Sequence, residues 1–171
     1  MRKHIMLMLL FICFLIATDS VIMADGTSCD ILGFRWGDSI EETREHAREM
    51  HLTFVAESVS QSSRLYTQSH IGILYGAPGI LELKFHEGEL YLLSIQYRET
   101  GYRNMYSIMR LRLEAMYGTP DNSTMRALDI PDANAWRTES TDIVLSMHPD
   151  IKTTLLSYAD RQRLMKALPE Y

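Results

Sequence analysis

The chain has 171 residues, 46% of them hydrophobic and 23% charged, a balance that suits one globular domain and excludes both a disordered tail and a multi-span membrane protein. Its 17 basic against 22 acidic side chains give a formal charge of -5, so there is no basic field to hold a nucleic-acid backbone, and nucleic acid is not expected as a partner. Two cysteines are too few for a disulfide framework or a tetrahedral structural zinc site.

The first element in chain order is an address. Residues 1–4 make a short basic start, and residues 5–17 form an apolar run of 13 residues without a charge. Together they have the layout of an export signal. At ~1.5 Å per residue a helix of that run covers about 20 Å, short of the ~30 Å hydrocarbon core of a bilayer. The expectation is therefore cleavage, best placed after Ala24, with no stable membrane span left behind and a periplasmic or secreted product. Loss of residues 1–24 removes Arg2, Lys3 and Asp19, leaving 15 basic against 21 acidic residues in a single α+β domain over residues 25–171. Cys29 is then the one thiol of the processed chain. It has three readings: an unpaired residue, which the sequence favours; an intermolecular disulfide making a homodimer; and a lipid anchor, for which the apolar run ends too early.

In the processed chain, Gly37-Asp38-Ser39 precedes Ile40-Glu41-Glu42, and Ser39 with Glu42, or Asp38 with Glu41, has capping-box spacing. A helix is predicted there, with Ile40, Thr43, Ala47 and Met50 as its thin buried stripe. The period then changes to two. Strands are predicted at residues 52–57 and 64–68, and a hairpin is predicted from residues 80–85 and 89–97 across His86-Glu87-Gly88, as a three-residue loop with a bulge. In that register Leu81, Leu83 and Phe85 share a face with Tyr91, Leu93 and Ile95. Helical spacing returns over residues 102–117, stopped by Gly118 and Pro120. Further strands are predicted at residues 123–128, 133–138, 142–147 and 152–158, and a short helix at residues 159–168. The order favours an antiparallel sheet with helices packed on one face, in its simplest version a tandem αββββ arrangement.

The segment Gly33-Phe34-Arg35-Trp36-Gly37-Asp38-Ser39, the hairpin around Gly88, Tyr117-Gly118-Thr119-Pro120, Trp136 and Asp142-Ile143-Val144-Leu145-Ser146 carry a resemblance. Over residues 32–150 the chain resembles small exported bacterial α+β proteins of unassigned function. More distantly it is similar in layout to beta-lactamase inhibitory protein and to small outer-membrane assembly lipoproteins. That resemblance implies the fold, export, and a binding module rather than an enzyme.

Motifs of chemistry are missing from the sequence. There is no Gly-x-Ser-x-Gly, His-Glu-x-x-His, Cys-x-x-Cys or phosphate-binding loop. His46 and His51 are five residues apart, which turns them about 140° from each other on a helix, and His70, His86 and His148 also read as surface residues. No catalytic, metal or cofactor residue is assigned. The opposite face of the predicted hairpin carries Ile80, Leu90 and Leu92, which would face water if helices cover one face alone. Burying them would be worth about 1.5–3 kcal/mol each, enough to mark a partner-binding surface for an envelope protein. The function expected is a non-enzymatic binding or adaptor module of the bacterial envelope; the alternative is a small envelope hydrolase whose site is built from residues distant in sequence.

Overall fold

A computed structural model describes residues 31–60, 65–98, 101–123, 125 and 132–168. The expected export signal and Cys29 lie outside the described residues. Helix α1 spans Ile40–Glu49 and begins at the expected capping box: the Ser39 hydroxyl accepts from the Glu42 N–H, and the Glu42 carboxylate accepts from the Ser39 N–H at 2.8 Å. These bonds hold the Glu42 carboxyl below its ordinary pKa. Asp38 instead accepts from the Arg35 N–H at 2.8 Å, closing the turn before the helix.

Four strands follow as a meander: β1 (Thr53–Ser60), β2 (Leu65–Leu74), β3 (Ala77–His86) and β4 (Glu89–Arg98). Tyr75-Gly76 and Glu87-Gly88 are two-residue turns with both φ angles positive, the conformation whose twist suits a hairpin. The expected three-residue loop at residues 86–88 is thus one residue shorter, because His86 pairs with Glu89. The bulge moves into β4: Lys84 pairs with Leu92 and Phe85 with Leu90, leaving Tyr91 as the extra residue. Leu90 therefore joins Leu81, Leu83, Phe85, Leu93 and Ile95 in the main core, while Tyr91 turns to the other face.

Helix α2 spans Tyr102–Tyr117 between Gly101 and Gly118, both with positive φ, and buries Met109 and Leu113. Met116 lies on its exposed side. Strands β5 (Ala133–Arg137), β6 (Thr141–His148) and β7 (Thr153–Asp160) form a second meander, and α3 (Arg161–Ala167) closes the described chain. A 3₁₀ turn over Pro149–Ile151 joins β6 to β7. The strand expected at residues 123–128 is not observed as such. Ser123 and Met125 are helical, and residues 126–128 lie outside the described residues.

All seven strands form one antiparallel sheet in the order β1-β2-β3-β4-β7-β6-β5. The fold is α+β, with two meanders joined through β4 and β7. Side chains of α1 and α2 share the main core with Leu74, Trp136, Ile143, Leu145, Leu156 and Tyr158, so both longer helices back the same face. The short α3 lies on the other face, where Leu164 and Ala167 pack with Tyr91, Val144 and Ala159. A second helix-covered face exists because Leu92, Val144 and Ala159 alternate out of the main core and still need cover. Among the described residues the layout is αββββ followed by αβββ, one strand fewer in the second half than a strict tandem repeat.

Candidate functional site

Among the described residues the two sheet edges are unequal. At the β5 edge the segment after α2 supplies a cap. The Ala135 N–H donates to the Asn122 side-chain oxygen at 3.1 Å, and the Ala135 carbonyl accepts from the Asp121 N–H at 2.9 Å. Asn122 also donates to Asn134, whose amide donates to the Tyr106 hydroxyl of α2 at 2.6 Å. Both outer backbone groups of Ala135, in the buried run of β5 residues 133–136, are therefore matched, as burial of peptide groups requires.

At the β1 edge no strand among the described residues pairs with the outer side, and every residue of β1 is exposed. Its sequence, Thr-Phe-Val-Ala-Glu-Ser-Val-Ser, has a single charge, no lysine and no proline. Those are the devices that normally blunt an open edge. Phe54, Val55 and Val59 are exposed apolar residues on this strand, with Val59 at 63% exposure; Ile71 and Ile73 of β2 are exposed on the face opposite Phe54 and Val59. The one edge feature that deters pairing is a bulge between Phe54 and Ala56. Because of it, Phe54 opposite His70 and Val59 opposite Tyr66 lie on the same face despite their odd spacing.

A polar cluster behind the edge fixes β1 to α1 and β2. Arg44 of α1 donates to Glu57 at 3.3 Å and to the Tyr66 hydroxyl at 3.2 Å, and Tyr66 in turn donates to Glu57. The Arg44 guanidinium sits 5.8 Å from the Phe54 ring centroid, and Phe54 meets His70 edge-on at 5.6 Å. His70 is 2% exposed. Its Nε2 lies 3.3 Å from the Gln68 side-chain oxygen, which requires the proton on Nε2 and leaves Nδ1 as a buried lone pair with no partner. Burial, and secondarily the charge of Arg44, pushes the His70 pKa down. Burial and the bond to Glu57 push Tyr66 up. Tyr66 thus stays a donor, His70 stays neutral, and the single charge of β1 is matched within its own chain.

The residues singled out from sequence do not form one surface. Leu90 is fully buried in the main core, Leu92 is half-buried against the α3 cluster, and Ile80 is half-buried opposite the exposed Ile71. The one-residue change of turn length accounts for Leu90. The histidines also differ from the surface reading: besides His70, His46 is bonded at Nε2 to the Leu32 carbonyl at 2.8 Å and packs edge-on against Phe34. Among the described residues no group of three or more His, Cys, Asp or Glu could hold a metal ion, and no helix is long and apolar enough to cross a membrane.

Two further charged clusters are structural. Asp142, fully buried, is held by Arg137 and Arg161, each at 3.0 Å, and Arg161 also donates to the carbonyls of Thr138 and Glu139. Asp160 caps α3 through the Arg163 N–H, and the Arg163 side chain bridges Asp160 and Glu89 at 2.8 Å each. Gly37 lies directly under that guanidinium with φ of +89°, so the Trp36-Gly37 motif is a close approach that a side chain would block. Sequence inspection missed the β1 edge because edge position depends on long-range pairing; the available signal was a β-rich segment without lysine or proline. Compared with protein-family models, curated proteins and solved structures, the chain matches none.

Proposed function

We propose that this chain is an exported binding module of the bacterial envelope whose working surface is the β1 edge, where an extended polypeptide segment adds as an eighth strand. The observation that carries the reading is the contrast between one capped edge and one open edge in the same sheet. Strand addition draws affinity from main-chain hydrogen bonds and specificity from alternate side chains, and β1 offers both: an outer side along Thr53–Val59 on which no described strand lies, and Phe54 and Val59 exposed on one face. The export pattern of residues 1–24 and the resemblance to small exported binding proteins point the same way.

The test is selection of a displayed library of random eight-residue peptides on the wild-type protein and, in parallel, on Val55→Lys/Val59→Lys. Enrichment of β-branched and aromatic sequences that bind wild type and fail on the double variant is expected. Peptides that bind both proteins equally would place the working surface elsewhere.

A further inference from the structure

We infer that His70 is an acid-operated latch that holds β1 on the sheet and lets it go when the buried Nδ1 takes up a proton. The inference rests on the reading of β1 as the docking edge and adds what controls that edge: a strand docked there is released in acid.

The ring belongs to β2 and shares a sheet face with Phe54 of β1 on one side and Leu81 of β3 on the other. Its Nε2 proton is fixed by Gln68. The Gln68 amide nitrogen donates to the Ile40 carbonyl of α1 at 3.4 Å, which leaves the amide oxygen to accept from His70 at 3.3 Å. A second proton therefore goes to Nδ1, which is buried and has no partner. A charged ring with a new N–H and no acceptor has to be reached by water.

The cover over the ring is uneven. Leu81 is fully buried in the main core, and α1 is seated there through the buried Thr43 and Ala47. Phe54 is 46% exposed, beside a bulge, on a strand exposed from end to end. Displacing Phe54 is thus the least costly way to hydrate Nδ1, and β1 moves with it.

The surrounding charges act in the same direction. Among the described residues α1 presents Arg44, whose positive charge opposes an imidazolium, while β2 presents Gln68 and β3 presents Leu81. β1 presents Phe54 and carries Glu57, whose carboxylate is already bonded to Arg44 and Tyr66. Phe54 rests on His70 and Glu57 on Arg44, so two contacts that tie β1 inward end on the two groups that protonation sets against each other. With β1 in place the ring takes up a proton only below 6.5; with β1 lifted its pKa rises toward that value. The lifted form then binds more protons and gains as pH falls, by up to about tenfold between pH 7.5 and 5.5 for one such group.

The full chain is followed by hydrogen exchange at pH 7.5, 6.5 and 5.5, with protection factors compared so that the intrinsic pH dependence of exchange drops out. Protection of the β1 amides bonded to β2 is expected to fall about three- to tenfold relative to β5 across that range, and His70→Gln should abolish the differential fall. As a measurement that needs no variant, the His70 imidazole titration followed by NMR should share its midpoint with the loosening of β1. An eight-residue peptide of the enriched class, chosen without ionisable side chains, should bind wild type about three- to tenfold more weakly at pH 5.5 than at 7.5, and His70→Gln equally at both. Protection in β1 that holds, that falls equally in His70→Gln, or that rises because the imidazolium captures Glu57, overturns the inference. Loosening of β1 with peptide affinity indifferent to pH overturns it too and leaves the docking edge standing. If no peptide binds at any pH, the docking edge falls, and exchange with the His70 titration decides the latch alone.

Discussion

The two ends of the sheet solve the same problem in opposite ways. The second meander stops at β5 and spends a short segment, Asp121 to Ser123, on satisfying its outer backbone groups. The first meander continues to β1 and leaves that strand exposed from end to end. Since the halves otherwise match, with a helix and a meander each on the same face, the difference isolates what an open edge is for. A cap serves folding alone. An uncapped strand without lysine or proline is an aggregation liability, and the proposed strand addition would cover it.

The largest expected effect lies in the closed half. Asp142→Ala leaves Arg137 and Arg161 without their buried carboxylate, and removing one member of a buried ion-pair cluster costs about 3–5 kcal/mol. Urea titration should show the midpoint falling with the slope unchanged; a loss below about 1 kcal/mol would mean that the β5–β6 turn and α3 are held by packing instead.

A smaller loss tests the cap itself. Asn122→Ala removes the acceptor of a buried N–H in β5, and an unsatisfied buried donor costs about 1–3 kcal/mol. Beyond stability, the variant should open the second edge, so the Ala135 amide exchanges faster and concentrated solutions self-associate more than wild type. Stability loss without either change would separate the cap's energetic role from its protective one.

On the open side the effects on stability are slight. Tyr66→Phe deletes the donor that fixes Glu57, at a cost of about 0.5–1.5 kcal/mol, and should speed amide exchange in β1 more than in β5. If the two strands respond equally, the cluster behind β1 is not what orders that edge.

Much of this architecture is legible in the sequence where the signal is local. Ser39 with Glu42 announces α1, Gly118 with Pro120 ends α2, and alternation over β3 and β4 gives the central hairpin. Three features escape. The turn at Glu87-Gly88 is one residue tighter than composition suggests, and that single residue exchanges Leu90 for Tyr91 in the core. His70 reads as a surface residue, yet long-range pairing of β2 with β3 under α1 buries it. Residues 123–128 read as a strand, but the Asp121 side chain accepts from the Ser123 N–H at 3.0 Å, a local bond that competes with strand pairing, and Ser123 and Met125 are helical.

The smallest effect links the open edge to pH. His70 has a folded-state pKa below 6.5, so the folded form favours the neutral ring while the unfolded chain takes up a proton near 6.5. Between those two values the unfolded state binds more protons, and stability therefore rises with pH; it is complete above 6.5 and is lost progressively as pH falls through the window. Around the ring stand Arg44 from α1, Phe54 from β1 and Gln68 from β2, while Glu57 and Tyr66 are bonded to Arg44 and to each other, and among the described residues no carboxylate is bonded to either ring nitrogen to rescue the charged form. A proton there sets His70 against Arg44 and should loosen Phe54 first. Wild type is expected to lose urea stability between pH 7.5 and 5.5, with exchange in β1 and β2 accelerating more than in β5 and β6. His70→Gln, which cannot take up the proton, should flatten that loss even if its stability at pH 7.5 is lower. An equal acid loss in both proteins would assign it to other groups and leave the β1 edge independent of pH.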